Sequence, residues 1–260
     1  MTNADLQSQY RLSGAWNFRD VGGAATTDGQ RIRRGVLFRS SELSHLDDAG
    51  RSELATLGIR RVFDLRGESE IRRSGVDAVP ADVTVVSVPY RDEPGEKAPH
   101  EEFLSGGDDA QLRYMIGTYA SFPSLAGAST AIRAVIDAVG RGDGASLVHC
   151  AAGKDRAGWT IATVLRAAGV TDEAIVADFL RSNDAIGPLR AHIMAVWQSD
   201  TTGSPVDPSD ALLGVAEAYY RTGLDAVTST YGSFDGYLDA IGVTAEDLRR
   251  LKAELIDDRS

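Results

Sequence analysis

The stretch "LVHCAAGKDRAGW" (147–159) contains the only cysteine of the chain, Cys150, and an arginine, Arg156, with five residues between them. A thiol attacks as its thiolate, a form that helix N-termini and nearby cations favour. A guanidinium is a planar fork that matches two oxygens of a phosphate. Held close together, the pair can perform nucleophilic attack on phosphorus. The residues between them, Ala151, Ala152, Gly153, Lys154 and Asp155, are the material of a tight loop. Its backbone N–H groups, with those of a helix starting near Asp155, would form a nest for a phosphate. Gly153 allows a turn there that a side chain would obstruct.

Other uses of the same residues are open to test. A lone cysteine is often inert packing in a core. A nucleotide-binding phosphate loop would need Gly at Val148 and Ser or Thr at Asp155, so that reading is excluded. His149 adjoins Cys150, but strand neighbours point to opposite faces. It is therefore a poor base for the thiol and better suited to bracing the loop through a hydrogen bond.

Such a site needs a strand to deliver the cysteine and a helix to receive the loop. "SLVH" (146–149) is short, apolar and central in character, and 155–168 has a helical pattern. Further strands are expected at 33–40, 60–66 and 83–90. A helix is expected between Ser44 and Gly58, with Ser44 and Asp47 at capping-box spacing. Alternating short strands and helices predict an α/β fold with a small, mainly parallel sheet. After Cys150 the pattern is almost wholly helical, at 155–168, 172–182, 185–198, 208–229 and 245–256, with Thr171 and Thr244 as N-caps. Residues 91–124 run from an acidic stretch broken by Pro and Gly into a helical pattern. A loop this long is a candidate lid.

The 260 residues, 43% hydrophobic, suffice for one large domain spanning 1–260. The net charge of -11 argues against a nucleic-acid partner and against docking on anionic lipid by bulk charge. An anionic substrate must be drawn in by a local positive site. One cysteine excludes an intrachain disulfide. No signal-peptide pattern and no run near the ~20 apolar residues of a membrane span is visible. The expectation is a soluble protein, cytoplasmic or exported without a recognisable signal.

"HCAAGKDRAG" resembles the signature of the cysteine-dependent protein tyrosine phosphatases. The Lys-Asp pair before the arginine is similar to a bacterial branch of atypical dual-specificity and lipid phosphatases that includes a secreted mycobacterial enzyme. The likeness continues through "GAWNFRDVGG" (14–23), "GVLFRSSELSHLDDAGR" (35–51), "FDLR" (63–66), "RYM" (113–115), "IVADFLRSND" (175–184) and "YGSFDGYL" (231–238). The resemblance implies a tyrosine-phosphatase fold with helices as a lid, no metal and no cofactor. It implies hydrolysis of phosphotyrosine, and in some members of phosphoserine, phosphothreonine and phosphoinositides, through a phosphocysteine.

Such chemistry uses a carboxylic acid to protonate the leaving oxygen. "VPYRDEP" follows an expected strand and offers Asp92, with Glu93 beside it; the resemblance places the family's acid at Asp92. Asp155 is the rival, or a residue that orients Arg156. Lys154 is a contact for a second anionic group or a solvated lysine at the rim. Tyr90, Tyr114 and Met115 match pocket-wall positions by resemblance, although aromatics at such spacing also build cores. Asp64 to Arg66 would brace the site or form an ordinary ion pair. "DFLRSND" (178–184) reads as helix packing with a cap near Asn183. A phosphate-binding pseudoenzyme is the alternative function, and a phosphorylated protein or phosphoinositide is the expected partner.

Overall fold

The computed structural model describes residues 12–91, 98–99, 107–199 and 208–257. Its central sheet runs in the order β1 (Arg19–Asp20), β3 (Leu37–Ser40), β6 (Ala145–His149), β4 (Ile59–Asp64) and β5 (Thr84–Ser87). β1 is antiparallel to β3, and the other pairs are parallel. A second small sheet joins β2 (Arg31–Ile32) to β7 (Ile256–Asp257). The strands expected at 33–40, 60–66 and 83–90 exist but are shorter than the runs that announced them, and the one expected at 146–149 begins one residue earlier, at Ala145.

β6 is central, and all five of its residues are buried. Its alternation divides the core. Leu147 packs with Phe38 and Val62 on one face, joined by Leu54 of helix α1 (Asp48–Thr56). Val148 packs with Leu37 and Phe63 on the other. Covering that second face are α4 (Ala126–Arg141) and α5 (Arg156–Ala167). In α5 every residue but Arg166 is buried, Trp159 completely. Each large apolar side chain enclosed this way contributes about 1.5–3 kcal/mol.

α4 was not expected from the sequence. It buries Ala128, Ala131, Ile132, Val135 and Val139, spacings of three and four that form one apolar stripe. Gly142 ends it in the left-handed region at φ +65°. The other helices are α2 (Glu68–Ser74), α3 (Gly107–Ser121), α6 (Asp172–Leu180), α7 (Ile186–Ser199), α8 (Asp210–Leu213), α9 (Glu217–Tyr231), α10 (Phe234–Ala240) and α11 (Ala245–Leu255). Thr171 caps α6, and Thr244 with Asp247 forms a capping box on α11. α1 is capped by Asp47, whose carboxylate accepts from Gly50 N, rather than by a box starting at Ser44.

The helix expected over 208–229 is two helices, α8 and α9. Asn183 explains the break. Its side-chain oxygen accepts from Val215 N at 2.7 Å, and its amide donates to Val215 O at 3.0 Å. A backbone bonded twice from outside cannot continue its own ladder. Asn183 therefore holds a distant turn instead of capping its own helix. Of the candidate lid, α3 is described; Asp92 and most of the acidic stretch lie outside the described residues.

Candidate active site

β6 carries Cys150 to the carboxyl edge of the sheet, and the loop returns into α5 at Arg156. Gly153 lies at φ +68°, and a Cβ there would fall 2.2 Å from Ser40 O. Only glycine permits this contact of the loop with the end of β3. Four successive carbonyls of the loop are bonded. Ala151 O accepts from Glu42 N at 3.0 Å, and Ala152 O from Asn17 Nδ2 at 3.0 Å. Gly153 O and Lys154 O accept from Arg39 Nη2 at 2.7 and 3.2 Å. Because a peptide's N–H points opposite to its C=O, donors drawn to the carbonyls leave the N–H groups of 152–155 directed away from those partners. Cys150 is buried and is a free thiol.

The residues behind the loop form a buried network that the sequence did not announce. Arg19 donates to Asp178 Oδ1 at 2.7 Å, and Arg39 to Asp178 Oδ2 at 2.8 Å. Arg19 also donates to Asn17 Oδ1 at 2.5 Å. Among the described residues Asn17 is the one non-glycine residue with positive φ, +55°, a conformation that asparagine tolerates better than most. Burial, with the Arg39 charge, pushes Arg19 down to about 10 despite its bond to Asp178. Burial would raise Asp178, but Arg19 and Arg39 hold it well below the carboxylate range. "DFLRSND" thus supplies the counter-ion of two buried arginines.

Arg156 begins α5 and meets Glu70 of α2 in a two-pronged pair, 2.6 Å on each prong. Burial opposes charge on Glu70, yet Arg156 holds its carboxyl below the usual range. Glu70 is itself placed by Gly67 N, which donates to it at 2.9 Å. Arg156 Nη1 also donates to Leu65 O at 3.3 Å. Among the described residues, Arg156 Nε is buried with no partner. Nε and the second hydrogen of Nη2 share an edge of the guanidinium, and that edge fits two phosphate oxygens.

Lys154 is neither solvated nor open to a second anion. It is 1% exposed, and its ammonium bonds both Asp155 oxygens, at 2.9 and 2.8 Å, and Gly214 O at 3.2 Å. Asp155 also accepts from the Tyr119 hydroxyl at 2.9 Å. Both oxygens of the Asp155 carboxylate are thus engaged by donors already in the fold. Tyr90 is buried beneath the loop, donating to Arg156 O at 3.1 Å and lying 2.7 Å from Thr160 Oγ1. Met115 is fully enclosed in the core, and Tyr114 is half-buried against it.

Arg66 gathers Asp64, Asp77 and Glu42 at 2.8, 2.8 and 3.0 Å. His149 Nε2 lies 2.9 Å from Asp77, and its Nδ1 lies 3.3 Å from Cys150 O. Asp64, Asp77 and His149 are spaced like metal ligands. The guanidinium of Arg66 already holds both carboxylates, so an ion-pair cluster accounts for the arrangement.

The tyrosine phosphatase family model matches residues 10–257. The chain is 40% identical to the triple specificity protein phosphatase PtpB of Mycobacterium tuberculosis, over 94% of this chain and 98% of that one. A Cupriavidus necator protein named as a tyrosine-protein phosphatase is 30% identical, over 90% of this chain and 84% of the relative. A tyrosine-protein phosphatase of Nostoc commune is 28% identical, over 85% and 74%. The chain belongs to the tyrosine phosphatase family and is a protein tyrosine phosphatase. Among the described residues no helix is long and apolar enough to cross a membrane.

Proposed function

We propose that Cys150 is the nucleophile of a two-step phosphomonoester hydrolysis. In the first step its sulfur attacks phosphorus, and the bond from phosphorus to the leaving oxygen breaks. The leaving oxygen takes its proton from Asp92. The loop amides of 151–155 and the open edge of Arg156 hold the other phosphate oxygens. In the second step water attacks the phosphocysteine, Asp92 takes back a proton, and the thiolate departs. Inorganic phosphate is the second product.

The observation that carries this reading is the orphaned Nε of Arg156 beside a loop whose carbonyls are bonded from behind. Asp155 is the weaker candidate for the acid, because its carboxylate is already engaged by Lys154 and Tyr119. The substrate range includes phosphotyrosine. The triple specificity in the name of the mycobacterial relative supports extending it to other phosphoproteins. The branch resemblance adds phosphoinositides.

With a phosphotyrosine peptide in chelator, Cys150→Ser should abolish turnover while phosphate still binds. Asp92→Asn should lower the rate by about 10²- to 10⁴-fold, and less for a very acidic leaving group. If Asp92→Asn were harmless and Asp155→Asn crippling, the acid would be Asp155.

A further inference from the structure

We infer that Tyr119 is a positioning residue whose hydroxyl keeps the Asp155 carboxylate turned away from the open edge of Arg156, so that substrate phosphate can occupy it. This inference rests on Arg156 and the loop amides being the phosphate site.

The environment of Tyr119 is apolar apart from its hydroxyl. Its ring is completely buried against Phe122, Phe179 and Tyr219, with centroids 5.0–5.8 Å away. Phenylalanine would fill the same space without a polar atom to satisfy. The hydroxyl instead reaches out of α3 to Asp155 Oδ1 at 2.9 Å, across 36 residues of sequence. A buried hydroxyl in such a cluster costs free energy unless it is bonded. Here its partner is the carboxylate next to Arg156.

That carboxylate is a hazard to the site. It lies one residue from the arginine, and a carboxylate is as good a ligand for a guanidinium edge as a phosphate oxygen is. Two groups hold it elsewhere: the Lys154 ammonium, anchored on Gly214 O, and the Tyr119 hydroxyl. Removing the hydroxyl takes one of the two side-chain donors from Asp155 Oδ1 and leaves it with Lys154 alone, while Arg156 has an unpartnered donor. Rotation of Asp155 toward Arg156 would satisfy both and block the phosphate.

The test is a cycle of Tyr119→Phe and Asp155→Asn, read as the affinity for inorganic phosphate by calorimetry in a Cys150→Ser background. Turnover then plays no part in that readout. Tyr119→Phe retains every ring contact. It should weaken phosphate binding about tenfold, the equivalent of one hydrogen bond to a charged group. In the Asp155→Asn background it should change nothing, because a neutral side chain competes poorly for the fork. With Cys150 intact, Tyr119→Phe should raise KM for an aryl phosphate by a similar factor and leave kcat near wild type. Tyr219→Phe, which loses a hydroxyl bonded to Ala211 O, should do neither. Unchanged phosphate affinity in Tyr119→Phe, or an equal loss with Asp155→Asn present, would overturn the inference. Failure of the wild-type loop to bind phosphate would instead overturn the proposed function.

Discussion

Two buried ion clusters flank the loop between Cys150 and Arg156, and their charge balances are opposite. On the side of β4, one guanidinium, Arg66, meets three carboxylates, Asp64, Asp77 and Glu42. Under Gly153, two guanidiniums, Arg19 and Arg39, share the one carboxylate of Asp178. Burial alone would lower Arg66, but Asp64, then Asp77 and Glu42, hold it above its ordinary value. Burial has the upper hand at Arg19, which falls to about 10. The surplus of negative charge is placed where Arg66 and His149 can absorb it. The surplus of positive charge lies directly behind the loop. Arg39 donates into the Gly153 and Lys154 carbonyls, which polarises those peptides and makes their N–H groups better donors to an anion. A chain of net charge -11 can thereby present a positive site.

The comparison can be broken most severely at Asp178. Asp178→Ala leaves two guanidiniums buried with no carboxylate and should cost about 3–5 kcal/mol of folding stability. Glu42→Gln leaves Arg66 two carboxylates and should cost about 1–2 kcal/mol. Urea denaturation of both variants checks the order. A larger loss in Glu42→Gln would mean that the charge balance does not decide how these clusters hold the loop.

A smaller effect sharpens the comparison through pH. Burial would lower His149, but Asp77 and Asp64 outweigh it and raise its value above 6.5. A group raised in the folded state contributes stability that is fully present below its unfolded value. That contribution is lost as the pH rises through the folded value. The thermal midpoint of the wild type should therefore fall as the pH rises from 6.5 through the raised value of His149. In His149→Gln that part of the fall should vanish. Equal slopes in the two proteins would remove His149 from the cluster's charge balance.

The front of the site was legible in the sequence, and its support was not. Cys150 and Arg156 announce themselves because their spacing and the strand–loop–helix pattern lie within one short segment. Glu70 is 86 residues from Arg156, and Asp178 is 139 from Arg39. Nothing local distinguishes such carboxylates from the solvated majority of an acidic chain. "NFRD" and "LFRS" did carry a signal: an arginine inside a short apolar strand is costly unless paired, and it points to a buried partner. The apolar stripe of α4 was equally readable from its three- and four-residue spacing. The break between α8 and α9 was not, because it depends on the side chain of Asn183 reaching a distant backbone. Lys154 misled for a similar reason. A lysine beside a phosphate loop reads as a substrate contact until Asp155 and the Gly214 carbonyl are seen to enclose it.

The central claim is that Cys150 carries the phosphoryl group during turnover. Rapid acid quench of the enzyme mixed with an aryl phosphate, followed by mass analysis of the peptide containing Cys150, tests it most directly. Asp92→Asn should help when the aryl leaving group is very acidic, since on the proposed mechanism it then slows hydrolysis of the adduct more than its formation. The account predicts one added phosphoryl group on Cys150, formed within the first turnover and absent in Cys150→Ser. Steady turnover with no phosphoryl group on Cys150 at any quench time, or the same adduct on another residue in Cys150→Ser, would contradict it.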